Sequence, residues 1–154
     1  RKSVWIENQS YRLPTDAEWS EAAGMIGETG RTPAERHVQR RGEYPWGNLW
    51  PPPAGAGNYD EEFGCDRVEK TAIVGQYKPN SAGLFDLAGN VWEWCDDWFD
   101  GGQKERVARG GSWRSTWRDV SPDVLLSSYR LHLPPASREP DLGFRCVLDI
   151  GVLE

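Results

Sequence analysis

Long apolar runs are missing from this sequence, methionine occurs once, cysteine three times and histidine twice. No stretch approaches the roughly 20 apolar residues of a membrane-crossing helix, and Arg1-Lys2-Ser3 does not lead into the apolar core of a signal peptide. Membrane insertion by this segment is therefore not expected. Cys65, Cys95 and Cys146 are widely spaced and odd in number, which forms no metal-ligand motif and leaves one disulfide, and with it the compartment, open. Positive charge is short as well. A net charge of −6 and a pI near 5.0 supply no basic field for nucleic acid or an anionic membrane.

Glycine (17), proline (11) and tryptophan (9) are abundant, at a hydrophobic content of 38% and a mean hydropathy of −0.71. Such a composition opposes a helical bundle and favours a loop-rich fold whose core area comes from a few large side chains. Residues 1–154 read as one domain, since no linker or repeat marks a second unit. Its densest stretch is Gly83 to Trp98, with Trp92, Trp94 and Trp98 among Asp86, Glu93, Asp96 and Asp97. Gly89-Asn90 is a turn signal, because both residue types tolerate positive φ. Val91 to Cys95 alternates as a half-buried strand does, with Trp92 and Trp94 on one face and Glu93 on the other.

Around that stretch, Asp16 to Ala23 reads as a helix with Thr15 as N-cap, Glu18 completing a capping box and Gly24 as the stop. Thr32-Pro33-Ala34-Glu35 can start a second, short helix. Weak strand character falls at Val4-Trp5-Ile6 and Val74 to Tyr77, a strand broken by a glycine pair at Arg106 to Trp113, and a closing strand at Leu142 to Leu148. Tyr44 to Pro53 is an aromatic, proline-punctuated loop. Asn58-Tyr59-Asp60-Glu61-Glu62 and Asp66 form an acidic loop with the oxygen-rich composition that calcium requires, though such loops are more often simply solvated.

In order, Tyr11-Arg12-Leu13-Pro14-Thr15-Asp16-Ala17-Glu18-Trp19, Pro45-Trp46-Gly47, Gly83 to Trp94, Arg109-Gly110-Gly111-Ser112-Trp113 and Gly143-Phe144-Arg145 resemble the formylglycine-generating-enzyme (sulfatase-modifying factor) family. The resemblance covers nearly the whole chain and implies an α+β, C-type-lectin-like fold, loop-rich, with few helices and short antiparallel strands. It also implies a further strand and helix ahead of the Arg-Leu-Pro-Thr segment, for which ten residues leave no room, so an N-terminally truncated or processed domain is expected.

That family contains enzymes and non-enzymes, so the chemistry is decided at residues. Its oxidase members hold copper and substrate thiol on a cysteine pair just upstream of the segment matching Ser127-Ser128-Tyr129-Arg130, whereas here Trp113 to Arg145 contains no cysteine. Copper thiolate chemistry needs soft ligands, and His37 and His132 do not replace a dithiol. No copper and no catalysis are therefore expected.

The C-terminal part is similar to the variable proteins of diversity-generating retroelements, which display a hypervariable ligand-binding surface on the same lectin-like fold. Arg109 to Trp113, Leu125 to Arg130, Pro134-Pro135 and Leu142 to Arg145 read as a fixed frame. The unpatterned residues between them are the candidate ligand-binding set: Arg114, Ser115, Thr116, Trp117, Asp119, Val120, Leu131, His132, Leu133, Ser137, Glu139 and Asp141, with Val124 and Pro140 of the same character. Most of these types arise from an AAC or AAT codon by changes at adenines; Trp117 and Glu139 do not. The expectation is a non-enzymatic module that binds a protein, peptide or glycan, in a bacterial cytoplasm or on a cell surface. The alternatives are an ordinary lectin-like accessory domain of the family, such as those attached to bacterial kinases, and a formylglycine-generating oxidase. Family resemblance further implies structural calcium, held by Asn58 and Asp66 at one site and by Glu93 with carbonyls of Gly89 to Val91 at a second.

Overall fold

The computed structural model describes residues 9–39, 42–59, 70–115 and 122–150. Its chain order is β1 (Gln9–Arg12), α1 (Asp16–Ala22), α2 (Pro33–His37), β2 (Trp92–Trp98), β3 (Arg106–Arg109), β4 (Leu131–Leu133), β5 (Leu142–Gly143) and β6 (Val147–Ile150), with a 3-10 turn at Pro122–Leu125. Regular structure is sparse, as the glycine and proline content requires. The fold is the loop-rich, lectin-like α+β arrangement.

Helix α1 starts where the sequence places it. Thr15 caps the Glu18 N–H, and the Glu18 carboxylate returns a bond to the Thr15 N–H at 2.7 Å, closing the capping box. Gly24, with φ of +87°, turns the chain out of the helix. Thr32 caps α2 in the same manner, with Pro33 in the first turn.

A four-stranded sheet, in the order β4-β3-β2-β5, divides the core. Strands β2, β3 and β4 are antiparallel, whereas β2 and β5 run parallel through Trp92↔Leu142 and Glu93↔Gly143. Alternation then sorts the side chains by face. Trp92 and Ala108 join Tyr59, Ala88, Val124 and Leu125 on one side, with Trp94 and Leu131 against them. On the other side Cys95 and Val107 meet Trp19, Ala23 and Leu87. Trp92 and Trp94 thus share a face opposite Glu93, as read, but Glu93 is only 5% exposed, so β2 is covered on both sides rather than half-buried. Helix α1 supplies the cover, through Trp19.

Strand β3 ends at Gly110 and Gly111, both at positive φ, as the glycine pair indicates. The remaining strand expectations need correction. Residues 74–77 form no strand; Ile73 and Val74 are about 80% exposed and have no partner strand among the described residues. The closing strand is two strands, because β5 pairs with β2 while β6 pairs with β1, Tyr11 opposite Leu148. Val4 to Ile6 lie outside the described residues.

Candidate functional site

The candidate surface is built where β3 runs out. After Gly111 the chain makes a tight turn in which the Ser112 N–H donates to Ser115 Oγ (2.9 Å) and the Ser115 N–H to the Ser112 carbonyl (3.0 Å). Ser112 Oγ then donates to Asp141 Oδ2 at 2.7 Å, which ties this turn to the segment before β5. Arg114 Nη1 lies 3.6 Å from the other Asp141 oxygen. At this separation, and with the Arg114 side chain 51% exposed, the pair is loose.

These residues surround a cavity of about 290 Å³ lined by Trp92, Ser112, Arg114, Ser115, Val124, Tyr129, Leu131 and Asp141. An aromatic and aliphatic floor thus meets two hydroxyls and one charge of each sign at the rim. Such a cavity binds groups that bring an apolar face and paired donors and acceptors. No thiol lines it. Cys95 lies in a different cavity with Leu13, Trp94 and Arg106, and burial pushes its thiol far above the ordinary range, so it is unreactive. Cys95 and Cys146 are both free, the first buried and the second exposed.

Of the twelve ligand-binding residues read from sequence, Arg114, Ser115, Leu131 and Asp141 come together here. Their roles differ from the expectation. Ser115 is 3% exposed and Asp141 8%, and both are spent on the frame hydrogen bonds. Val124 is a core residue at 2% exposure. On β4, Leu131 pairs with Ala108 toward the cavity, so the adjacent His132 points to the other face. There it stacks on Phe99 with centroids 3.9 Å apart and its Nδ1 meets Glu105 Oε2 at 2.6 Å. Leu133 is partly buried at the far end of β4, Ser137 closes a turn onto the Pro134 carbonyl, and Glu139 is exposed. Thr116, Trp117, Asp119 and Val120 lie outside the described residues, as does Asp66. Ser112 and Tyr129 were missed as site residues because they sit in the motifs read as fixed frame, and Trp92 because it was read as part of the tryptophan strand.

The calcium candidates sit elsewhere. Asn58 is fully buried and its Nδ2 donates to the Lys70 carbonyl at 2.7 Å. Glu93 takes Arg145 in a two-pronged pair (2.6 and 2.7 Å) and the Trp19 Nε1–H at 2.8 Å. Three donors thus occupy a carboxylate with about four lone-pair sites, and Arg145 already supplies a positive charge. Glu93 lines a cavity of about 380 Å³ together with Asn90, Val91 and Asp86. Asp86 Oδ1 is buried there without any hydrogen-bond partner, while Oδ2 accepts the Gly75 N–H. An orphaned carboxylate oxygen beside Glu93 suits a hard cation. Asp86 was missed as a candidate, and its only signal was its place in the acidic Gly83 to Trp98 stretch.

Residues 3–150 match the sulfatase-modifying factor enzyme 1-like domain. The chain is 34% identical to the formylglycine-generating enzyme of Streptomyces coelicolor, over 90% of this chain and 46% of that protein. It is 34% identical to the inactive Cα-formylglycine-generating enzyme 2 of Mus musculus, over 91% of this chain and 44% of that protein. Among solved structures, Treponema denticola variable protein 1 superposes with a TM-score of 0.60 at 28% identity, covering 93% of this chain and 49% of that one. The chain spans just under half the length of each of these relatives.

Proposed function

We propose, from the premise that the chain belongs to the sulfatase-modifying factor family, that it is a non-enzymatic ligand-binding module whose binding surface centres on the Trp92–Tyr129 cavity. The family holds active oxidases and members named inactive, so membership alone does not choose. The observation that carries the reading is the build of the cavity. Its rim is a loop-borne, loosely paired Arg114 beside Leu131, and its base is a hydrogen-bonded frame of Ser112, Ser115 and Asp141, with no thiol among the described lining residues. A frame closed in this way tolerates changes in the exposed residues without losing the fold. Likeness to a structure titled a variable protein supports reading those exposed residues as the variable ones, as in diversity-generating retroelements.

Arg114→Ala is expected to leave the melting temperature nearly unchanged and Leu131→Ala, which trims a side chain packed on the core cluster, to lower it without loss of the cooperative melt, and both to abolish capture of whichever peptide or glycan an array identifies. Loss of fold in both would assign the cavity to the core. At the locus, a reverse transcriptase gene and a near-copy of the coding sequence for 109–147 differing at adenines are expected. Their absence would leave an ordinary accessory domain of the family. Oxygen consumption on a cysteine-containing peptide with copper is expected to stay at background, and turnover there would return the oxidase reading.

A further inference from the structure

A further cavity, of about 350 Å³, shares no described lining residue with the first, the Trp92–Tyr129 cavity. Its walls are apolar, with Trp46, Pro53, Ala56, Leu84 and Leu87 among them. They are also set in advance. The Trp46 ring stacks on Tyr44 at 4.8 Å and meets Tyr59 edge-on at 5.4 Å, and its Nε1–H is spent on the Leu49 carbonyl. Asn80 is likewise committed, its Oδ1 accepting the Ala82 and Leu84 N–H groups and its Nδ2 donating to the Ala22 carbonyl. A cavity whose walls are already fixed loses little entropy on filling.

Among the described residues one charged group lines it, Lys78, which is exposed. The Lys78 backbone N–H is held by the Gly55 carbonyl at 3.1 Å and its methylene stem runs beside Gly55. No carboxylate lies within ion-pair distance of its ammonium among the described residues. The exposed Lys78 ammonium is therefore solvated and available to an anionic group that enters the cavity. Ser81 lines the same cavity and brings a hydroxyl donor to it.

We infer that this cavity binds an apolar monocarboxylate, its hydrocarbon or aryl body against Trp46 and Leu84 and its carboxylate on Lys78. One ammonium matches one negative charge, and the acidic remainder of the surface disfavours polyanions such as nucleotides. The volume falls within the usual range for small-ligand sites. Free organic acids and the C-terminal carboxylate of a peptide ending in an apolar residue share this chemistry.

The probes are indole-3-propionate, its primary amide, and a tripeptide ending in Phe with a free or an amidated C-terminus, titrated against the whole chain by calorimetry and by NMR of the Trp indole N–H signals. Saturable binding of the acid with the amide weaker by about tenfold or more, the scale of a lost charge-assisted contact, is expected. Lys78→Met, which keeps the stem and removes the charge, is expected to erase that difference, and Lys78→Arg to retain it. Ala56→Leu, which fills the cavity, should abolish binding without loss of the cooperative melt. Binding of the free-acid peptide as well assigns the natural ligand to a chain terminus; binding of indole-3-propionate alone assigns it to a free acid. Equal affinity for acid and amide, or binding untouched by Lys78→Met, overturns the proposal, and so does no saturable shift with any probe. Arg114→Ala is expected to leave this binding intact, which separates it from the first cavity.

Discussion

Asp16 illustrates how little of a residue's work is written at its own position. In sequence it is an ordinary first-turn acid of a capped helix. In the fold it is fully buried and its carboxylate receives Arg36 (2.8 Å), Arg130 (3.0 Å) and Arg109, while Arg130 also holds Glu28 at 2.7 Å. Burial raises the Asp16 pKa, but the Arg109, Arg130 and Arg36 charges outweigh it and hold the carboxyl below its ordinary value. Asp16→Asn keeps the shape and removes the charge that three guanidiniums share, leaving Arg130 only Glu28. Urea denaturation is expected to show a loss of about 3–5 kcal/mol, the scale of a broken buried pair. Glu18 carries a testable pH dependence. Its hydrogen bond with Arg12 lowers its pKa from 4.5 to about 2. A depressed folded pKa means that its contribution is present above pH 4.5 and is lost as pH falls through about 2. Glu18→Gln is expected to flatten the stability curve in that window, its cost being greatest at pH 7, where it is modest because the group is partly exposed, and fading as pH falls through about 2.

Elements were legible where local chemistry alone decides them. The Thr15 and Glu18 box, the Thr32-Pro33 start and the Gly89-Asn90 turn are all set by nearest neighbours, and φ of +73° and +65° confirm the last. Gly89 needs its freedom twice over. A Cβ there would meet the Asn58 carbonyl oxygen at 2.4 Å, besides forcing a side chain into left-handed backbone. Gly89→Ala is therefore expected to cost more than about 2 kcal/mol with an unchanged denaturant m-value, whereas Gly83→Ala, which has open space at φ of +77°, should cost only the backbone strain of about 1 kcal/mol. Strands were less legible, since a strand exists only through its partner. Ile73 and Val74 have the composition but no neighbour, and Leu142 to Ile150 divides between two sheets because its halves find different partners.

At the scale of the whole molecule, the ordered motifs announced the family and hence the fold, while the candidate site was half legible. Spacing located the segments that form the cavity, but which side chains point into it depends on pairing that sequence does not display. Val107 opposite His132 turns that histidine onto Phe99, and the bonds from Ser112 to Asp141 and to Ser115 turn two expected surface residues into frame. The last question is what completes the charge around the tryptophan strand. Glu93 joins α1 through Trp19 and the stretch after β5 through Arg145, and the unpartnered Asp86 Oδ1 lines the same cavity. We propose that calcium sits there, with Glu93 and Asp86 as its carboxylates and a purely structural role. A cation bound only by the folded state at 100 times its Kd adds about 2.7 kcal/mol, roughly 5–10 °C for a chain of this size. The melting temperature is thus expected to rise with calcium, fall with chelator and rise no longer in Asp86→Asn, which keeps the Gly75 contact within reach. An unchanged midpoint in calcium, with Asp86→Asn as stable as the parent, would leave Arg145 as the sole counter-charge and Glu93 as a buried arginine-anchored carboxylate that binds β2 to the elements on either side.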